Sequence, residues 1–226
     1  MLVSMSDAQR TLAEWAGAST PQVALIFTDM VDSTALLNRI GDKRWVEVLV
    51  RHLNHARSIL KNYDCHEIKF IGDSFMVAFR TPVEALHFAL TLYVDTGHPK
   101  VKIRAGIHVG TVRIIDNDLF GGMVNYTARV LAAADEDSIM VSDPAKFQIV
   151  QELGIDNREL LFSDLKTKLK GFDDPYKHKL WSVETRKMRR AAEARNRRSW
   201  DRMMKDFGEF ISDLKALRDE AGSEQG

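Results

Sequence analysis

At 226 residues and 45% hydrophobic content, the chain can form one domain of ordinary size plus extensions and can bury a substantial core. Lysine plus arginine (32) equals aspartate plus glutamate (32), so no global field draws the molecule to nucleic acid or to an anionic membrane. Cys65 is the only cysteine, which excludes an intramolecular disulfide framework; the N-terminus carries no cationic segment followed by an apolar run, and residues 23–27 are far too few to span a bilayer. A cytoplasmic protein with no membrane and no nucleic-acid partner is the expectation.

Residues 1–20 read as an N-terminal helical extension, with Ser6 and Asp7 as caps, ending near Pro21. A buried strand follows over 23–27, then polar Thr28, Asp29 and Asp32, then a long amphipathic helical pattern over 33–63. Residues 68–79 read as two short strands around a Gly72-Asp73 turn. Thr81-Pro82 opens a helix, because proline suits the first helical turn. Residues 101–110 predict a strand, 116–122 a turn, 123–134 a third helix, and 139–142 and 177–183 later strands.

This alternation suits an α+β sandwich with a ferredoxin-like βαββαβ core, in which helices cover one face of a mainly antiparallel sheet. After Val183 the composition changes. Arg186, Lys187, Arg189, Arg190, Arg195, Arg197 and Arg198 form a basic run, and Trp200, Met203, Phe207, Phe210 and Leu214 then recur at helical spacing. The predicted division is therefore an extension over 1–20, a catalytic domain over 21–184 and a charged helical tail over 185–226.

Phe27-Thr28-Asp29-Met30-Val31-Asp32-Ser33-Thr34 places carboxylates where a buried strand ends and a helix begins. Backbone N–H groups opening that helix favour an anion, and Asp29 can hold a hard cation that bridges to it. The plainer alternative is that Asp32 or Ser33 caps the helix. Lys69-Phe70-Ile71-Gly72-Asp73 supplies a second carboxylate on a hairpin tip, from which two carboxylates could share two divalent ions, although Gly72-Asp73 alone is ordinarily just a turn. Asn125 and Arg129 stand four apart on the third helix, one face of which would then carry an amide and a guanidinium suited to sugar and phosphate oxygens, or an ordinary salt bridge.

Taken together and in this order, these segments resemble the catalytic domain of class III adenylate and guanylate cyclases, with Arg104-Ala105-Gly106-Ile107-His108-Val109-Gly110 as a further matching strand. The resemblance implies a nucleotidyl cyclase that converts a nucleoside triphosphate into a 3′,5′-cyclic nucleotide and pyrophosphate. It implies a head-to-tail homodimer with active sites at the interface and two divalent ions per site, Mn²⁺ or Mg²⁺. By motif, Asp29 and Asp73 would bind metal, Lys69 and Asp118 would read the base, Asn125 and Arg129 would act on the ribose and α-phosphate, and Lys170 would contact the terminal phosphates.

Three positions depart from the family's usual residues: Asp32 and Ser74 where glycine is common, and Thr127 where alanine is usual. None removes a catalytic group. The compact architecture resembles the bacterial pyrimidine cyclases of anti-phage defence, which favours UTP or CTP; the pair Lys69 and Asp118 taken literally favours ATP.

Other classes are less economical. The basic run lacks the interleaved aromatics of a nucleic-acid surface. His52 and His55 share a helical face without a further ligand at zinc spacing. A cyclase fold kept only for nucleotide binding would require loss of a catalytic group.

Overall fold

The computed structural model describes residues 10–136, 138–153, 162–167, 169, 178–183, 205 and 209. In chain order these residues form α1 (Leu12–Ala16), β1 (Gln22–Met30), α2 (Ser33–Ile40), α3 (Asp42–Leu60), β2 (Cys65–Ile71), β3 (Ser74–Phe79), α4 (Pro82–Val94), β4 (Ile103–Thr111), β5 (Arg113–Ile115), β6 (Asp118–Phe120), α5 (Gly122–Ala132), β7 (Ile139–Ser142), α6 (Asp143–Leu153), β8 (Phe162–Thr167) and β9 (His178–Val183).

Local chemistry sets several of these boundaries. Thr81 caps α4 through the backbone N–H of Glu84 while the Glu84 carboxylate returns to the Thr81 N–H, with Pro82 in the first turn. The same reciprocal cap at Thr11 and Glu14 starts α1. Ser6 and Asp7, expected as caps, lie outside the described residues. Gly41, at φ +79°, divides the predicted long helix into α2 and α3. Asp116 and Asn117 both take left-handed backbone (φ +50° and +61°), the geometry of a tight β-hairpin turn, so Asp118 opens β6 instead of lying in the expected loop.

The main sheet runs β2-β3-β1-β4-β7-β9-β8, and only the β4–β7 pair is parallel. Its first four strands, with α3 and α4 between them, make the expected βαββαβ core. Alternation along β1 sends Ala24, Ile26 and Met30 to one face and Val23, Leu25 and Phe27 to the other. The first face lies under α3, α4 and α6, in a core with Phe75, Phe79 and Phe88. α4 is buried on nearly every side, as a helix in the middle of such a layer must be.

The second face carries α1 and α5, so helices cover both faces where the sequence reading placed them on one. Both α6 and β8 were not anticipated. Cys65 packs at the margin of the first core. His52 is buried with Nδ1 2.7 Å from the Thr96 carbonyl, and His55 lies 3.4 Å from Asp95.

Among the described residues no helix is long and apolar enough to cross a membrane. The basic run and almost all of the predicted C-terminal helix lie outside them. Lys205 and Glu209 are helical and form a 3.3 Å ion pair.

Candidate active site

Asp29 shares the parity of Leu25 and Phe27, which puts its carboxylate on the α5 face near the end of β1. Strand register then chooses its neighbours. Asp29 stands opposite Arg104 on β4, and the pairing of Thr28 with Phe75 brings Ser74 alongside on β3. The Ser74 hydroxyl donates to Asp29 Oδ1 at 2.9 Å, and Arg104 donates to Oδ2 through Nε at 3.0 Å and Nη2 at 2.6 Å. The Asp29 side chain is only 16% exposed, so three donors on it offset the cost of burying a carboxylate.

Asp73 is half-buried in the β2–β3 turn, immediately before Ser74, which places the second predicted carboxylate one residue from the group that touches Asp29. Gly72, at φ +67°, supplies the left-handed residue that the turn requires. Two carboxylates offer hard oxygen donors. Among the described residues no three His, Cys, Asp or Glu side chains cluster for a metal. Two carboxylate groups are a hard-oxygen donor set of the kind that suits a divalent cation such as Mg²⁺, which binds through one or two carboxylates and completes its shell with phosphate and water.

Lys69 reaches the same face through an irregularity. The β2–β3 register shifts between Glu67 and Lys69, so Lys69 pairs with Met76, whose side chain lies in the α5-face core. Such a bulge redirects a side chain. Lys69 Nζ consequently meets Asp118 Oδ2 at 2.5 Å, across 49 residues of sequence, with both side chains about one third exposed. The other Asp118 oxygen accepts the Leu119 N–H at 2.8 Å, which fixes the carboxylate. The two predicted base-reading residues are thus in contact.

Asn125 and Arg129 are both exposed on α5, on the side opposite its buried stripe of Met123, Thr127, Val130 and Leu131. That stripe seats the helix on the sheet, so within one chain the amide and guanidinium project away from Asp29 and Asp73. Neither makes a side-chain hydrogen bond or ion pair among the described residues, which leaves the ordinary salt-bridge reading without a partner there. Lys170 lies outside the described residues; its neighbour Leu169 is buried against Val130 and Met140.

Asp32 occupies the N-cap of α2 but makes no capping hydrogen bond, which sets aside the view that its carboxylate is there to cap. His108 is tied to Ser142 Oγ at 2.8 Å and packs against Tyr126, with ring centroids 4.4 Å apart and the planes tilted by 42°. Arg104 is the residue that motif reading quoted only as part of a strand. The signal that could have found it is that a carboxylate in a buried strand needs a partner, and an arginine stands on the neighbouring strand.

Comparison with known proteins bears on this arrangement. The sequence model described as the adenylate and guanylate cyclase catalytic domain matches residues 16–173. Receptor-type adenylate cyclase GRESAG 4.1 of Trypanosoma brucei brucei is 26% identical over 208 residues, covering 70% of this chain and 16% of that protein. The chain spans no more than 16% of the length of the receptor-type cyclases of that organism that it matches. An adenylate cyclase structure from Trypanosoma brucei in its monomeric state superposes with a TM-score of 0.64 at 24% identity, over 73% of this chain and 88% of that one. The adenylyl cyclase CyaB from P. aeruginosa gives 0.61 at 19% identity, over 74% and 96%. These structures share the fold.

Proposed function

The chain belongs to the adenylate and guanylate cyclase catalytic-domain family, and from that premise we propose that it is a nucleotidyl cyclase whose catalytic unit spans residues 21–184. The observation that carries the reading is the contact between Lys69 and Asp118 on the sheet face that also holds Asp29. The resemblance assigns the metal-binding and base-reading sets of one site to different subunits, so this face would lend Asp29 to one site of a dimer and the Lys69–Asp118 pair to the other. The cyclised product would be a 3′,5′-cyclic nucleotide released with pyrophosphate.

Asp29 and Asp73 would hold the divalent ions, Mn²⁺ or Mg²⁺. When bound, these supply Lewis acidity toward the ribose 3′-oxygen and neutralise charge on the triphosphate. Arg129 would meet the charge that grows on the α-phosphoryl oxygens as the 3′-oxygen attacks, and Asn125 would orient the ribose. Lys170 would hold the terminal phosphates.

Because Asn125 and Arg129 face away from the carboxylates of their own chain, a complete site needs a second copy. Exposed apolar residues support that assembly: Ile71 beside Lys69's strand end, and Ile115 and Phe120 flanking Asp118, are each about half exposed or more. A head-to-tail homodimer is the arrangement proposed.

The base follows from donor and acceptor logic. An ammonium can donate to an unprotonated ring nitrogen while a carboxylate accepts from an exocyclic amine. Adenine and cytosine present that pattern; uracil and guanine present the reverse at the same two positions. The pair of Lys69 and Asp118 thus suits ATP and CTP alike; the resemblance to the pyrimidine cyclases of anti-phage defence, which itself leaves UTP or CTP, tips the reading to CTP, with ATP as the alternative and UTP left without support from this pair.

The test is to incubate the purified protein with Mn²⁺ and each of ATP, GTP, CTP and UTP, and to identify products by mass spectrometry. A cyclic nucleotide from CTP or ATP is expected, lost in Asp29→Asn and shifted toward other bases in Asp118→Ala. Product from GTP or UTP alone would refute the base assignment, and no product from any of the four would refute the activity.

A further inference from the structure

Asp29 has no idle oxygen. Oδ1 accepts from Ser74 at 2.9 Å, and Oδ2 takes both the Nε and Nη2 donors of Arg104 at 3.0 and 2.6 Å. Arg104 is held to this geometry by the strand ladder, since β1 and β4 pair without a break from Gln22 opposite Thr111 to Met30 opposite Ile103. Its side chain is 37% exposed against 16% for Asp29, so the arginine is the more solvent-accessible member of the pair.

Two guanidinium donors fill both lone-pair positions of Oδ2, so a divalent cation reaching that oxygen has to displace at least one of them. The guanidinium and the cation would also be like charges a few ångströms apart in a partly dehydrated site. We infer that Arg104 is a built-in competitor for the Asp29 carboxylate, so that a divalent ion binds Asp29 by displacing Arg104 instead of entering a preformed vacancy. This makes Arg104 a positioning residue that sets metal affinity. It rests on the proposed metal role of Asp29.

Ser74 has the complementary part. Its hydroxyl fixes Oδ1 from the opposite neighbouring strand and carries no charge, so it orients the carboxylate without competing for the cation. The chain thus holds Asp29 from two sides with different consequences: one contact survives metal entry and the other must yield. Ordinary structural support predicts the opposite sign, because a carboxylate deprived of a supporting partner becomes less well placed and binds metal more weakly.

The sign of the effect decides between the two. Mn²⁺ binding to the full-length protein in the absence of nucleotide, followed by the electron paramagnetic resonance signal of free Mn²⁺, should tighten about tenfold in Arg104→Gln, the scale of one charge-assisted pair. Arg104→Lys, which replaces the two contacts to Oδ2 by a single ammonium, should tighten it by a smaller factor and stands in if the glutamine variant fails to fold. Ser74→Ala should not tighten it. Equal or weaker binding in both arginine variants overturns the exchange while leaving the metal role of Asp29 in place. Binding that persists unchanged in Asp29→Asn overturns the metal role and the exchange with it.

Discussion

His108 lies on β4 with its ring against Tyr126, and burial pushes its imidazole down from 6.5 to about 4. In the unfolded chain the ring takes a proton near its ordinary value, whereas the folded protein resists protonation until the pH is far lower. The folded state is therefore favoured fully above pH 6.5, and that advantage drains away as the pH falls toward 4. The loss from this residue between pH 7 and pH 5 should be about 2 kcal/mol. Urea unfolding at the two values measures it: His108→Gln should show a pH dependence smaller by that amount, and an unchanged dependence would contradict the burial account. At this scale two of the three departures from the family's usual residues have a visible side-chain partner, and among the described residues Asp32 has none. Asp32 adopts φ +53°, the left-handed conformation that glycine fills without strain. Thr127 is fully buried and returns its hydroxyl to the Met123 carbonyl one turn back. Ser74, the first residue of β3, brings a hydroxyl that donates to Asp29, which glycine could not supply.

The seating of α5 on the sheet decides where Asn125 and Arg129 stand, and it depends on Gly106. A β-carbon there would lie 2.3 Å from the Leu131 backbone nitrogen, too close for any side chain to yield. Gly106→Ala should thus cost about 1–3 kcal/mol through displacement of α5, read as a fall in the urea midpoint. At Gly110 the nearest obstacle is the flexible Met123 side chain at 3.2 Å, so Gly110→Ala is the mild control, and equal stability of the two variants would contradict this seating. Much at the element scale was legible beforehand. The β1, α4 and β4 elements were readable because apolar runs, Thr81-Pro82 and alternation are local signals. The features that were not legible are those set by tertiary contacts. The register shift that turns Lys69 toward Asp118 leaves no mark in composition. The Gly41 break falls inside an unbroken amphipathic pattern. Asp118 reads as loop because the two left-handed residues before it, Asp116 and Asn117, signal a turn without saying where the second strand begins.

At the scale of the whole molecule, one sheet separates two kinds of surface. The face under α3, α4 and α6 is closed by a large apolar core, while the α5 face carries Asp29, Lys69, Asp118 and Arg104 and is bordered by exposed Ile71, Ile115 and Phe120. Motif reading found the residues and, through the family resemblance, expected a site divided between two subunits; the physical reason on the α5 side is the helix's buried stripe, which turns Asn125 and Arg129 outward. The central claim is that cyclisation is shared between two copies, each supplying what the other lacks. The most direct test is to coexpress Asp29→Asn with Arg129→Ala and measure cyclic nucleotide formation. Each variant alone should be nearly inactive, whereas the mixture should recover about a quarter of the wild-type rate, because half of randomly paired dimers are mixed and each mixed dimer has one intact site of two. A mixture as inactive as either variant alone, with both folded and associating, would contradict the shared site.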